Sequence, residues 1–342
     1  MIYRNITECI GNTPIVALED ELVPVGKRLL LKLDYFNPTF SVKDRTAFGI
    51  VKQALESGEI KPGGLVIEST SGNLGKSLAM LGAVYHFQVL IVVDPKISPS
   101  LLKWYKAYGA EIEMVTELDE DGGYQKTRYR RIQELLREYP DAYWPNQYDN
   151  PANPAYHYAT TAQELIDLPI DAVVGAVSTG GHLCGIGKFM KESKPDIQVV
   201  ACDVEGSAIF NHPFHTYLIN GVGLSWRTAN TDLSVIDQVC MASDQEAIST
   251  CRLLASDHGL MVGGSGGLAV ISALSYLYHS NASTAVAIIP DTGTNYLDQL
   301  YDDEWLTSKE ITLLDRKQLQ HSIHSKKLFS PNKDVLYSAS HK

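Results

Sequence analysis

Three short stretches gather hydrogen-bonding side chains and glycines just where an apolar helical pattern begins. "STSGN" (69–73) opens "LGKSLAMLG", "STGGH" (178–182) opens "LCGIGKFM", and "VGGSGG" (262–267) opens "LAVISALSYL". The first backbone N–H groups of a helix lack internal partners and its dipole is positive there, so an anion is favoured at each. In the first stretch Thr70, Ser71 and Asn73 add side-chain donors, and Gly72 lets a ligand approach the backbone. In the second, Ser178, Thr179, Gly180, Gly181 and His182 set two hydroxyls beside successive free N–H groups, which suits a phosphate dianion. In the third, Ser265 stands alone among glycines. Singly, each also reads as an ordinary helix cap or as tight packing. A fourth stretch, "NPTFSVKDRTAFGIVKQA" (37–54), sets Lys43 behind Ser41 at a helix entrance. Most lysines are solvated, but that electropositive place makes the neutral, nucleophilic amine easier to reach.

Two familiar phosphate motifs are missing. No Gly-Lys-Ser/Thr closes the second loop, and no G-x-G-x-x-G sits at the first βα turn, which disfavours nucleoside triphosphates and a nicotinamide dehydrogenase.

The elements around these loops alternate. "GLVIES", "QVLIVVD" and "EIEMVT" are each followed by a helical period between residues 64 and 144. A second series runs from "DAVVGAVS" through "IQVVACDVEG" to "TAVAIIPDTG". Short β-rich runs separated by helices predict right-handed βαβ units and parallel sheets flanked by helices, an α/β fold in two layers. "YWPNQYDNPANPAYHY" between them supports neither a long helix nor a central strand and marks the return from one domain to the other. The last twenty or so residues lose periodicity and gain Ser, His and Lys, as a mobile tail or a partner contact would.

Composition narrows the ligand class. The chain has 342 residues, 44% hydrophobic, and a net charge of −11, enough for two packed cores and without the basic block that nucleic acid or an anionic membrane would need. Small molecules are the expected partners. Five cysteines in no C-x-x-C pair and no regular framework read as reduced thiols of a cytoplasmic protein, and no metal is expected. The N-terminus lacks the order of a signal peptide. "LMVGGSGGLAVISALSYLY" reaches spanning length, but its four glycines and three serines fit a buried loop and helix better than a membrane span.

"GNTPIV" (11–16), "NPTFSVKDR", "STSGNLG", "STGGHLCG", "GVG" (221–223), "GGSGG" and "IIPDTGTNYL" (288–297) follow one another in register over residues 10 to 305. In this order the chain resembles the fold-type II pyridoxal 5′-phosphate enzymes, the cysteine synthase and cystathionine β-synthase group. The resemblance implies a two-domain, tryptophan synthase β-like fold and a homodimer. Residues 1–44 and 150–320 would form the large cofactor-binding domain, 45–149 a small mobile substrate-binding domain, and 321–342 a flexible tail. It further implies that Lys43 is joined to the cofactor aldehyde and is the catalytic base. Asn73 would face the ring hydroxyl oxygen, Ser178, Thr179, Gly180, Gly181 and His182 the 5′-phosphate, and Ser265 the pyridine nitrogen. Thr70, Ser71, Gly72, Asn73 and Gln147 would hold the substrate carboxylate. Activated serine would lose its β substituent through an α-aminoacrylate, to which a nucleophile adds.

Two departures bear on specificity. Ser178 and His182 stand where the family more often has Gly and Thr, and His182 is expected to offer its backbone N–H rather than its ring. Leu74 stands where cysteine synthases carry a hydroxyl residue. "IVVDPKISPSLLKWYKAYGAEIEMV", "DEDGGYQKTRYRRIQELL" and "DAYWPNQYDNP" are similar to members that join L-glutamate to O-phospho-L-serine in 2,3-diaminopropionate supply for siderophores. By that resemblance Arg128 and Tyr148 would hold the leaving phosphate, with helix-surface charge and linker packing as their plain alternatives, and Arg227 would serve a dicarboxylate acceptor. Sulfide or homocysteine as acceptor, and a non-catalytic relative that senses a metabolite, stay open.

Overall fold

The computed structural model describes residues 2–119 and 123–331. In chain order it contains β1 (Ile15–Leu18), β2 (Arg28–Leu33), α1 (Lys43–Ser57), β3 (Leu65–Ser69), α2 (Asn73–Tyr85), β4 (Gln88–Val93), α3 (Pro99–Ala107), β5 (Glu111–Met114), α4 (Gln125–Glu138) and α5 (Ala152–Ala159). There follow β6 (Ala172–Ala176), α6 (Gly181–Ser193), β7 (Gln198–Val204), β8 (Gln238–Ala242), α7 (Asp244–His258), α8 (Gly264–His279), β9 (Thr284–Ile289), α9 (Asp303–Ser308), α10 (Arg316–Ser325) and β10 (Leu328–Phe329).

The larger sheet has the order β1-β2-β9-β6-β7-β8-β10 and the smaller one β3-β4-β5. The central strands are parallel, with Val173 opposite Val286 and Val199 across adjacent strands. β6 and β9 are buried along their whole length, as expected of parallel strands with helices on both faces. β9 shows how both faces are used. Ala285, Ala287 and Ile289 join the core under α7 and α8, while Val286 and Ile288 join the core under α6. The small sheet closes a third core around α2, whose residues 74 to 82 are all buried.

The two outer strands depart from the all-parallel expectation: β1 pairs antiparallel with β2, and β10 antiparallel with β8. From residue 321, where a flexible tail was expected, the chain instead continues α10 and adds β10. Lys326 Nζ sits 2.5 Å from Glu246 Oε2, and Ser322 also bonds that carboxyl. The rest of the expected tail, 332–342, lies outside the described residues. All five cysteines are free thiols, and among the described residues no helix is long and apolar enough to cross a membrane.

The start of α1 is pinned by a buried ion cluster. Arg45 is fully buried, its Nε 3.0 Å from Asp34 Oδ2 and its Nη1 2.6 Å from Glu164 Oε1. Lys32 Nζ adds a second cation 2.5 Å from Glu164 Oε2, and Thr13 Oγ1 donates to Asp34 Oδ1 at 2.6 Å. Strand β2, helix α1 and the segment before β6 are thereby locked together two residues beyond Lys43. The carboxyl ends of β3, β6 and β9 lead into residues 70–72, 177–180 and 290–292, the crevice position where open α/β sheets bind ligands.

Candidate active site

Four helices begin at this crevice, and in none does the N-cap residue itself supply a side-chain cap, although Ser41 Oγ accepts from Lys43 N–H at 3.2 Å and Thr179 Oγ1 from Gly181 N–H at 3.4 Å. The N-cap residues of α1, α2, α6 and α8 are Val42, Gly72, Gly180 and Gly263, each without a side-chain cap hydrogen bond. Two helices elsewhere are capped fully, α7 and α10 by capping boxes from Ser243 with Glu246 and from Asp315 with Gln318, while α4 and α5 also start without a side-chain cap. At α1 the first N–H groups are already bonded to Ser41 and Val42, so it is the starts of α2, α6 and α8, gathered at one buried place, that can turn N–H groups to a ligand.

Backbone ladders and side chains bring the loops together. Val42 N–H donates to Pro290 O at 2.7 Å, Thr292 N–H to Phe40 O at 3.3 Å and Gly263 N–H to Asp291 O at 3.0 Å. Residues 290–292 thus stitch the Lys43 entrance to the Ser265 loop. Asn153 does the same for the 178–182 loop. Its Oδ1 accepts from Thr46 Oγ1 on α1 at 3.2 Å, and its Nδ2 donates to Gln147 O at 2.9 Å and Thr179 Oγ1 at 3.3 Å. Gly180 is left-handed at φ 77°, and a Cβ on Gly181 would lie 2.1 Å from Asn153 Oδ1, so both positions demand glycine. Ser265 is 1% exposed, and its hydroxyl makes no hydrogen bond to any described residue. A polar hydroxyl with no protein partner, beside uncapped helix starts, fits an anionic heterocycle with its phosphate in the 178–182 loop.

Lys43 is partly buried at the start of α1. Burial pulls its amine down to about 8, against the opposing pull of the Asp291 and Glu68 carboxylates. Its charge in turn helps depress His182, which burial chiefly brings down to about 4. The His182 ring turns back onto β6. Its Nε2 is buried without a partner, 2.9 Å from where a Cβ on Gly175 would sit, and its ring lies 6.1 Å from that of His157. This arrangement supports the backbone N–H, not the imidazole, as what His182 offers to an anion.

The 70–73 loop is held from below. Tyr105 OH donates to Gly72 O at 2.6 Å, and Gly72 N–H reaches Thr70 Oγ1 at 3.3 Å. Arg128 Nη1 donates to Ser71 Oγ at 2.8 Å and lies 3.2 Å from Asp94 Oδ2. Among the described residues its buried Nε has no partner, and neither has the buried Gln147 Oε1. Tyr148 lies tilted against Trp226, 5.4 Å between rings; burial raises its hydroxyl pKa and the Arg128 charge opposes that. Asn73 donates from Nδ2 to Asp291 Oδ2 at 2.8 Å and accepts from Asn295 Nδ2 at 3.2 Å. Arg227 is directed elsewhere, to Ile209 O and Asn211 Oδ1, both at 2.9 Å. Leu74 is 1% exposed and packs in the small core.

Asp291, Glu68, Asn153 and Lys76 were not singled out from sequence. Asp291 lies inside the quoted "PDTGTNY" motif, and Glu68 is a charge ending the buried run "LVIE", which was the available signal for both. Burial raises the Glu68 carboxyl to about 7, despite hydrogen bonds from Ser69 N–H and Trp144 Nε1.

Residues 6–291 match the family model described as pyridoxal-phosphate dependent enzyme. The chain is 40% identical over 314 residues to an N-(2-amino-2-carboxyethyl)-L-glutamate synthase of Cupriavidus metallidurans, covering 90% of this chain and 92% of that protein. Among solved structures, a cysteine synthase from Entamoeba histolytica superposes with a TM-score of 0.85 at 33% identity, covering 94% of this chain and 96% of the other. An O-ureido-L-serine synthase superposes with a TM-score of 0.82 at 32% identity, covering 90% and 100%. The family match over residues 6–291 and these likenesses show that the chain belongs to the pyridoxal-phosphate dependent enzymes.

Proposed function

We propose that the protein catalyses β-replacement on O-phospho-L-serine with L-glutamate as the amine nucleophile, giving N-(2-amino-2-carboxyethyl)-L-glutamate. The observation that carries the site is that Lys43, at the start of α1, shares its crevice with the starts of α2, α6 and α8, whose N-cap residues are glycines without a side-chain cap. The 178–182 loop would hold the cofactor phosphate, Ser265 the ring nitrogen and Asn73 the ring oxygen. Bound there, pyridoxal phosphate supplies an electron sink that makes an amino acid's Cα proton removable and its β substituent a leaving group.

The protein's own groups do the rest. Lys43 Nζ, eased toward the neutral amine by burial, takes the Cα proton and later returns it. Thr70, Ser71, Gly72, Asn73 and Gln147 hold the substrate carboxylate. A neutral Ser265 hydroxyl leaves the ring less electron-withdrawing than an acidic partner would, which favours elimination over a long-lived carbanion. The 45–149 segment, which carries the carboxylate loop, is read as a mobile domain that closes and excludes water. Substrate-bound and free crystal structures should differ by a movement of that segment; superposition without any movement would contradict closure.

Arg128 is read as the cation for the leaving phosphate. Its unpartnered Nε is a buried donor that a phosphate oxygen would satisfy, and Tyr148 lies within reach of its charge. Arg128→Met should lower kcat/KM for O-phospho-L-serine by about 10- to 100-fold, the worth of a charged hydrogen bond, and change O-acetyl-L-serine far less. Equal losses with both donors would remove Arg128 from donor recognition. For the acceptor, support comes from the 40% identical Cupriavidus protein. Sulfide is the second reading, favoured by the likeness to the Entamoeba cysteine synthase. Incubation with either donor and a panel of sulfide, L-glutamate, homocysteine and ammonia, with product masses measured, decides between them. Glutamate left untouched while sulfide is consumed would transfer the assignment to cysteine synthesis.

A further inference from the structure

One buried cation near the site has no part in the reaction described so far. Lys76 is fully buried on α2, one turn after Asn73, without a carboxylate in salt-bridge contact among the described residues. Its Nζ donates to Asn295 Oδ1 at 3.2 Å and lies 5.4 Å from the centroid of the Trp104 ring. Burial lowers its pKa, while the more distant charges of Asp291 and Asp44 oppose that. A charge so enclosed is costly to keep unless something depends on it.

What depends on it is direction. An ammonium can only donate, so Asn295 must turn its oxygen toward Lys76 and its NH2 away. That NH2 donates to Asn73 Oδ1 at 3.2 Å. Asn73 must then present its own NH2 on the far side, where Asp291 Oδ2 accepts at 2.8 Å. Asp291 is also held by Tyr296 OH at 2.6 Å, so the far end of the chain is a fixed acceptor. One hydrogen of Asn73 Nδ2 is used there; the second, near the Tyr296 hydroxyl, is the one the reading above assigns to the ring oxygen.

We propose that Lys76 is a positioning residue: through Asn295 it fixes the orientation of the Asn73 carboxamide, so that Asn73 donates to the ring oxygen of the cofactor. This rests on the reading above that Asn73 faces that oxygen. The relay runs from α2 beside the small sheet to the segment after β9, so it also ties the substrate loop to the large sheet.

Two nearly isosteric variants test it. Lys76→Met removes the donor that sets the direction. Asn295→Asp keeps an acceptor for Lys76, and gives it a carboxylate partner, but cannot donate to Asn73. Each should weaken pyridoxal phosphate binding by about tenfold, the worth of one hydrogen bond, and displace the absorption band of the bound cofactor. The double variant should lose no more than the worse single, because both break one relay. Melting curves of the cofactor-free variants establish that each folds. A purely space-filling Lys76 predicts wild-type affinity and spectrum for Lys76→Met, and that result overturns the inference; the same result in Asn295→Asp overturns the relay even if Lys76→Met does not fold. Unaltered protein that binds no pyridoxal phosphate overturns the parent reading as well. Binding by unaltered protein with both variants unchanged overturns the relay alone.

Discussion

Replacing Lys43 with Ala is expected to lower β-replacement turnover by roughly 10³-fold or more, because one amine serves as both cofactor anchor and general base. No neighbouring lysine is placed to substitute. Lys76 is held by Asn295, and Lys32 is bound to Glu164 and Thr13 O. The fold should survive the change, since Lys43 sits in the first turn of α1 while Arg45 and Asp44 carry that helix's buried polar contacts. Product formation followed by mass, alongside a melting curve, checks both halves. A variant turning over within tenfold of the unaltered protein would show that another group does the chemistry.

Arg45→Met should be the most damaging change to stability near the site, by about 3–5 kcal/mol, because it leaves the fully buried Asp34 carboxylate without its cation. That corresponds to a fall in Tm on the order of 10 °C. The pH dependence has a definite sign. Burial raises the Glu164 carboxyl, but hydrogen bonds from Arg45 and Lys32 outweigh it and hold the group at about 2, below its ordinary 4.5. A carboxyl depressed in the folded state contributes stability above its unfolded value and loses it as pH falls through the folded one. Stability of the unaltered protein should therefore drop between about pH 4.5 and pH 2, and the same acid step should be smaller in Arg45→Met. Denaturant unfolding at a series of pH values measures this, and an equal acid step in both proteins would contradict it.

Much of this architecture was readable because its signals are local. β3, β4, β6, β7 and β9 are apolar runs of strand length bounded by turn residues, and the helices after them show a helical period. β8, "QVCMA", and the two-residue β10 carry too little pattern to stand out, and only pairing with neighbouring strands defines them. The helical turns of 316–325 were hidden by their Ser, His and Gln content, with only Leu319 and Ile323 buried.

The site shows the same division. Loops that end a strand and open a helix announce themselves by glycine and hydroxyl content, which is how 70–73, 178–182 and Ser265 were found. Residues that act across the sequence do not. Asn153 reaches residues 46, 147 and 179, and Asp291 reaches residue 73, contacts set by packing of the two sheets and by no spacing along the chain. Lys76 carries no signal of its own in the sequence, because its burial follows from the packing of α2, whose residues 74 to 82 are all enclosed.

The most direct measurement is to load the purified protein with pyridoxal phosphate, reduce it with borohydride, digest it and map the modified peptide by mass. The account predicts a single reduced adduct on Lys43. An adduct on Lys76 or any other lysine, or no adduct at all, would contradict it.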